Sequence, residues 1–205
     1  MPKLHIRCLS VGSFQSNCYL VENTENGQLV VVDPGAEEGR ILSALEGRQV
    51  TAVLLTHGHC DHIGAVDAVC SRFGAPLYVH RADAARLPDA DANLSHPFGF
   101  EVAAHTRPAV LLDGGETITP ADIPMQVLHT PGHSEGSVCY LLPENQGILT
   151  GDTLFAHGYG RTDFPDGNFM KLKQSLRTLF HLHPKLVTYP GHDEPGEVGS
   201  DVEDM

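Results

Sequence analysis

Residues 57 to 62 read His-Gly-His-Cys-Asp-His, and His57, His59, Asp61 and His62 are all side chains able to ligate a cation. The segment follows a continuous apolar run, Val50 to Leu55, that predicts a buried strand. In extended chain, side chains two positions apart project the same way, so His57 and His59 can grip one metal ion together. Asp61 and His62 fall where the chain is expected to turn into a helix, which redirects them toward a neighbouring position able to serve a second ion. Imidazole nitrogen and carboxylate oxygen suit zinc foremost, with iron or manganese as alternatives.

A pair of ions needs more than four ligands, and three further candidates stand just after predicted strands: His133 in Thr130-Pro131-Gly132-His133, Asp152 in Thr150-Gly151-Asp152-Thr153, and His192 in Tyr189-Pro190-Gly191-His192. Glycine beside each lets backbone crowd the site, and a carboxylate such as Asp152 can bridge two cations while lowering their repulsion. Any one of these residues alone is more simply a solvated loop side chain. Seven of them in four strand-end loops point together to metal ligation.

The His-x-His-x-Asp-His signature, followed in order by His133, Asp152 and His192, resembles the metallo-β-lactamase superfamily over nearly the whole chain. The resemblance implies an αβ/βα sandwich of two mixed β-sheets flanked by helices, with two divalent metal ions at one edge. It further implies that His57, His59 and His133 hold the first ion, that Asp61, His62 and His192 hold the second, and that Asp152 bridges them. Asp61 and Asp152 are then the candidate catalytic residues, acting with a metal-bound hydroxide. Within the superfamily, Gly158-Tyr159-Gly160-Arg161-Thr162-Asp163-Phe164 resembles a Gly-Arg-Thr-Asp segment of the glyoxalase II group, which persulfide dioxygenases share. The expected reaction is hydrolysis of a small-molecule thioester of the S-acyl-glutathione type. A mononuclear iron persulfide dioxygenase using His57, His133 and Asp152 is one alternative, and lactone hydrolysis another. Thirteen residues follow His192, so the glyoxalase II group's helical domain with its basic glutathione contacts is expected to be absent, which leaves the thiol carrier open.

Several elements must position these residues. Short strands are predicted at Leu4 to Leu9, Cys18 to Glu22 and Leu29 to Val32, with Asn26-Gly27 as a hairpin turn between the last two. Asp33-Pro34-Gly35 stops the third strand, and a helix follows from Glu37 to Leu45. After Val50 to Leu55 comes a polar loop, Thr56 to Ile63, then a helix from Gly64 to Phe73 and a strand from Pro76 to Val79. Arg81 to Gly99, with Pro88 and Pro97, reads as a short helix and an irregular lid. Strands follow at Met125 to Leu128, Val138 to Leu142 and Ile148 to Leu149, then a loop from Gly151 to Gly167, a helix from Asn168 to His181 and a strand from Leu186 to Tyr189.

A chain of 205 residues fits one such domain, taken as residues 1 to 192. Residues 193 to 205 carry six acidic residues and no Lys or Arg, and are expected to be a poorly ordered tail. The formal charge of −13 opposes binding to nucleic acid or to an anionic membrane, and no apolar run has spanning length. With no apolar leader at Met1 to Arg7, the expected location is the cytoplasm. Cys8, Cys18, Cys60, Cys70 and Cys139 form no C-x-x-C pair and read as reduced thiols. Cys60, inside the signature, is expected to face away from the site. Arg161 and Asp163 are expected to pair or to brace the metal loop, and Lys171, Lys173 and Arg177 to form a solvated helix face. The composition carries no signal for oligomeric state.

Overall fold

A computed structural model of the chain describes residues 2–100, 109–182 and 187–198. Two six-stranded mixed sheets stack face to face, with helices on their outer faces. The first sheet runs in the order β1 (Leu4–Val11), β2 (Ser16–Asn23), β3 (Gln28–Val32), β4 (Gln49–Leu54), β5 (Leu77–His80) and β6 (Ala109–Leu112). Its first two pairings are antiparallel and the other three parallel. The expected αβ/βα sandwich is the fold found.

The pleat explains the layering. Side chains alternate between faces, so a strand buried on both sides must be apolar at nearly every position. In β3, Val30 and Val32 face the second sheet, while Leu29 and Val31 face the helices α1 (Glu38–Ala44) and α3 (Val66–Phe73). In β4, Ala52 and Leu54 pack between the sheets and Val53 points outward. The same division recurs in the second sheet. There Val138 and Tyr140 of β9 (Val138–Leu141) enter the central layer, and Cys139 meets Leu172, Leu176 and Leu179 of α5 (Phe169–Leu182).

The second sheet contains, in chain order, β7 (Thr117–Ile118), β8 (Met125–His129), β9, β10 (Ile148–Gly151), β13 (Val187–Pro190) and β14 (Gly196–Glu197). Their spatial order is β14-β13-β10-β9-β8-β7, with β10 and β13 parallel. A separate hairpin of β11 (Leu154–Phe155) and β12 (Gly158–Tyr159) follows β10.

Three expectations need correction. The loop predicted at Thr56 to Ile63 contains the short helix α2 (Cys60–Ile63). The loop predicted at Gly151 to Gly167 contains the β11–β12 hairpin. The tail does not fray from Asp193, because β14 pairs antiparallel with β13 and the Asp193 carbonyl accepts a 2.7 Å bond from Asn17 Nδ2. Residues 199–205 of that tail, and Leu186 of the last predicted strand, lie outside the described residues. The 81–99 stretch opens with α4 (Arg81–Ala84) and continues as irregular turns, as predicted, with Leu87, Asn93, Leu94 and Ser95 buried beneath it. Among the described residues no helix is long and apolar enough to cross a membrane.

Candidate metal centre

The ends of β4, β8, β10 and β13 meet at one edge of the sandwich, and the loops leaving them carry all seven predicted ligands. The two sheets are tied together there by backbone. Val138 N–H donates to the Thr56 carbonyl at 2.8 Å and Asn17 N–H to the Gly191 carbonyl at 2.7 Å, while within the second sheet Gly191 N–H donates to the Gly151 carbonyl at 2.8 Å. Gly191 has no room for a side chain: a Cβ would overlap Asp152 Oδ1 and press on the His62 ring.

Three groups of these side chains each bring their ligand atoms within 4.8 Å of one another: His57, His59 and His133; His57, His62 and Asp152; and Asp61, His62 and His192. Asp152 stands between the clusters. Its Oδ1 is 3.5 Å from His62 Nε2, and its Oδ2 is 3.5 Å from both His133 Nε2 and His192 Nε2. Asp61 Oδ2 lies 3.2 Å from His192 Nε2 and 3.5 Å from His62 Nε2.

The ring orientations suit metal ligation. Four of the five imidazoles commit Nδ1 to a fixed partner: His57 to Thr56 Oγ1 at 3.1 Å, His62 to Asp33 Oδ2 at 3.1 Å, His133 to the Arg161 carbonyl at 2.8 Å, and His192 to the Phe14 carbonyl at 3.1 Å. A carbonyl or carboxylate partner at Nδ1 takes the N–H there and leaves Nε2 as the nitrogen that faces the cluster. The buried Nε2 atoms of His57 and His62, together with Asp152 Oδ1, have no hydrogen-bond partner among the described residues. An orphaned buried polar atom is costly, and several converging on one point fit a cation between them. His59 is turned the other way, its Nδ1 facing His133 Nε2 at 2.9 Å. The donor set, imidazoles and carboxylates, therefore fits a pair of divalent ions.

Electrostatics divide the cluster in two. Burial, reinforced by the neighbouring imidazoles, pushes His57 and His59 well below the ordinary histidine range, so both are neutral and able to ligate. Burial also presses on His62, but Asp61, Asp152 and Asp33 outweigh it and raise that imidazole to about 10. His192 is raised too, with Asp61 and Asp152 overcoming desolvation. Against its own burial, Asp61 is held well below the usual carboxylate range by His62 and His192.

Two buried carboxylates that the sequence reading left without a site role hold the signature loop. Asp33, in a left-handed conformation at the end of β3, accepts from Thr56 N–H at 2.8 Å and Thr56 Oγ1 at 2.6 Å besides holding His62. Asp83 of α4 accepts from Gly58 N–H, Gly136 N–H and Ser134 Oγ, each at 2.8 Å, and so couples the signature loop to the loop carrying His133. An aspartate closing a wholly apolar strand was the available signal for Asp33. Asp83, in a polar stretch, offered none.

A cavity of about 420 Å³ opens over the cluster, walled by Phe14, Leu94, Phe98, Phe155 and Phe164, with Arg161 at its side. Cys60 also lines it, which corrects the expectation that this residue faces away; burial pushes its thiol up to about 12, so it stays protonated. Arg161 and Asp163 do pair, through two 2.7 Å bonds, and the guanidinium lies over the Phe164 ring at 4.5 Å. Lys171 and Arg177 are exposed on α5 and Lys173 partly so, with Lys171 paired to Glu135.

Comparison with known proteins agrees with this geometry. The profile described as Metallo-beta-lactamase superfamily matches residues 11–192. GloC of Haemophilus influenzae, named a hydroxyacylglutathione hydrolase, is 30% identical over 202 residues, covering 97% of this chain and 95% of its own. The crystal structure of BLEG-1, a B3 metallo-beta-lactamase, superposes with a TM-score of 0.90 at 32% identity, covering 98% of this chain and 97% of that one. A di-iron-bound form of TTHA1623 superposes with a TM-score of 0.85 at 34% identity, covering 94% and 95%.

Proposed function

Because the chain belongs to the metallo-beta-lactamase superfamily, we propose that it is a dinuclear metal-dependent hydrolase of small-molecule thioesters. The observation that carries this reading is Asp152 lying between two histidine groups in which the buried Nε2 atoms of His57, His59 and His62 lack hydrogen-bond partners among the described residues. His57, His59 and His133 would hold one ion and Asp61, His62 and His192 the other, with Asp152 placed to be shared between them. Zinc suits this mixed nitrogen and oxygen set, and the di-iron form of TTHA1623 makes iron the competing metal.

When bound, the ions supply a water activated near neutral pH and polarise the acyl carbonyl. The protein's own groups do the rest. Asp61 and Asp152 offset part of the cationic charge, leaving a net positive site where the carbonyl oxygen turns negative. The Asp33, Thr56, Arg161 and Phe14 contacts lock the imidazoles, so no reorganisation is needed as charge develops. Water adds to the acyl carbon, the C–S bond breaks, and the products are a carboxylate, a thiolate and two protons shared with solvent. A thiolate leaves without prior protonation, so the pocket needs no dedicated general acid. The name of GloC supports thioester chemistry over the β-lactam chemistry in the name of BLEG-1.

A metal titration of chelator-stripped protein, followed by thioester hydrolysis, tests the reading. Activity should be absent at the start and should climb until about two equivalents are bound. Full hydrolysis without metal, or activation by a single iron coupled to oxygen uptake with a persulfide, overturns it.

A further inference from the structure

The walls of the cavity bear on which thioester this site accepts. Its lining is aromatic: Phe14 packs edge-to-face on Phe98 at 5.2 Å, and Phe98 on Phe164 at 6.1 Å. A second hollow of about 260 Å³ adjoins it, sharing Phe14, Cys60 and Asp61 and closed by Val11, Ala36 and Phe100. Beyond His192 a third, open hollow is lined by Asp193, Glu194 and Glu197. Among the described residues, Arg161 is the one Lys or Arg lining any of these three spaces, and its guanidinium is already committed to Asp163 on one side and to Phe164 on another.

Two apolar hollows meeting at Asp61 can take the two arms of a thioester whose carbonyl sits over the ion cluster. A carboxylate on either arm, held in the hollows away from the ions, would lose hydration against phenylalanine rings without gaining an uncommitted Lys or Arg, and would approach three acidic side chains at the open side. We infer that the substrate is a thioester with an apolar acyl group and an uncharged thiol arm, and that this chain discriminates against anionic carriers such as glutathione. The inference rests on the proposed thioester hydrolysis and narrows it.

The test compares kcat/KM of the metal-loaded protein on two thioesters sharing a phenylacetyl group, one on N-acetylcysteamine and one on glutathione, together with the acetyl ester of N-acetylcysteamine. The neutral carrier should be preferred by about tenfold or more, and phenylacetyl should exceed acetyl by a similar factor. Phe98→Ala should raise KM for the phenylacetyl ester several-fold more than KM for the acetyl ester. Asp163→Ala, which releases Arg161, should shift the carrier ratio several-fold toward glutathione, a gain that a merely structural role for Asp163 does not produce. Equal or better hydrolysis of the glutathione ester by the unaltered protein overturns the inference while leaving thioester hydrolysis standing. Hydrolysis of none of the three esters overturns both.

Discussion

The two halves of the metal edge are built differently. The first sheet delivers four candidate ligands from one six-residue segment, wedged between the buried carboxylates of Asp33 and Asp83, with His57, His59 and His62 almost wholly out of solvent. The second sheet delivers three candidate ligands from three separate loops, and the last of them, His192, keeps 24% of its side chain exposed and leans on the carbonyl of the exposed Phe14. The His57, His59 and His133 group is consequently buried throughout, and its His57 and His59 imidazoles are neutral. The Asp61, His62 and His192 group is open on one side and carries a proton that a metal must displace. A rigid, deprotonated site binds first and tightest, so the second ion should be the exchangeable one.

The strongest way to break this division is to remove the residue that both halves share. Asp152→Ala should lower kcat/KM by about 10³-fold or more, because the Lewis-acid contribution of a properly bridged ion pair is several kcal/mol. Loss of the bridge should also reduce metal content by elemental analysis, whereas an unchanged kcat/KM would remove Asp152 from the chemistry.

A smaller effect is expected from loosening the first half alone. In Asp33→Asn one carboxylate oxygen becomes an amide nitrogen, so the Thr56 bonds and the His62 brace can no longer all be kept. Metal affinity, read by competition with a chelator, should fall about 10- to 100-fold, the usual effect of removing an outer partner of a ligand. If affinity is unchanged, the signature loop is held by its own backbone and the contrast between the halves is overstated.

Proton release sharpens the comparison further. With His62 raised to about 10, that imidazole is charged at neutral pH in the metal-free site, while His57 and His59, pushed below the ordinary range, are not. Binding at the first group therefore needs no proton expelled from His57 or His59, and binding at the second expels that of His62. Calorimetric titration in buffers of different ionisation enthalpy should find more protons released by the second ion than by the first, His62 contributing one and the raised His192 adding to it. Affinity for the second ion should accordingly fall more steeply as pH is lowered.

The smallest effect is expected outside the metal edge. Arg81 and Asp113 form an exposed pair outside the ligand set, and Asp113→Asn should change neither metal content nor hydrolysis measurably.

Much of this centre was legible in the sequence, for a physical reason. Ligand chemistry is confined to a few residue types, and these seven stand at strand ends, where the period of apolar residues stops. The long buried strands β3 and β4 and the helices α1, α3 and α5 were readable by the same periodicity. What escaped depends on non-local pairing. β7, β11, β12 and β14 have two residues each, too few for alternation to show, and exist because a neighbour offers an edge. Asp33 read as a strand stop because its role appears only when β3 lies beside β4, with Val32 opposite Leu54. The Phe14 carbonyl, which orients His192 from 178 positions away, has no side-chain signature at all.

Anomalous diffraction from crystals of the metal-loaded protein, recorded at the zinc and iron edges, tests the central claim most directly. Two peaks about 3.5–4 Å apart are expected, one within the His57, His59 and His133 group and one within the Asp61, His62 and His192 group, with Asp152 reaching both. A single peak, or peaks away from these seven side chains, would contradict the account.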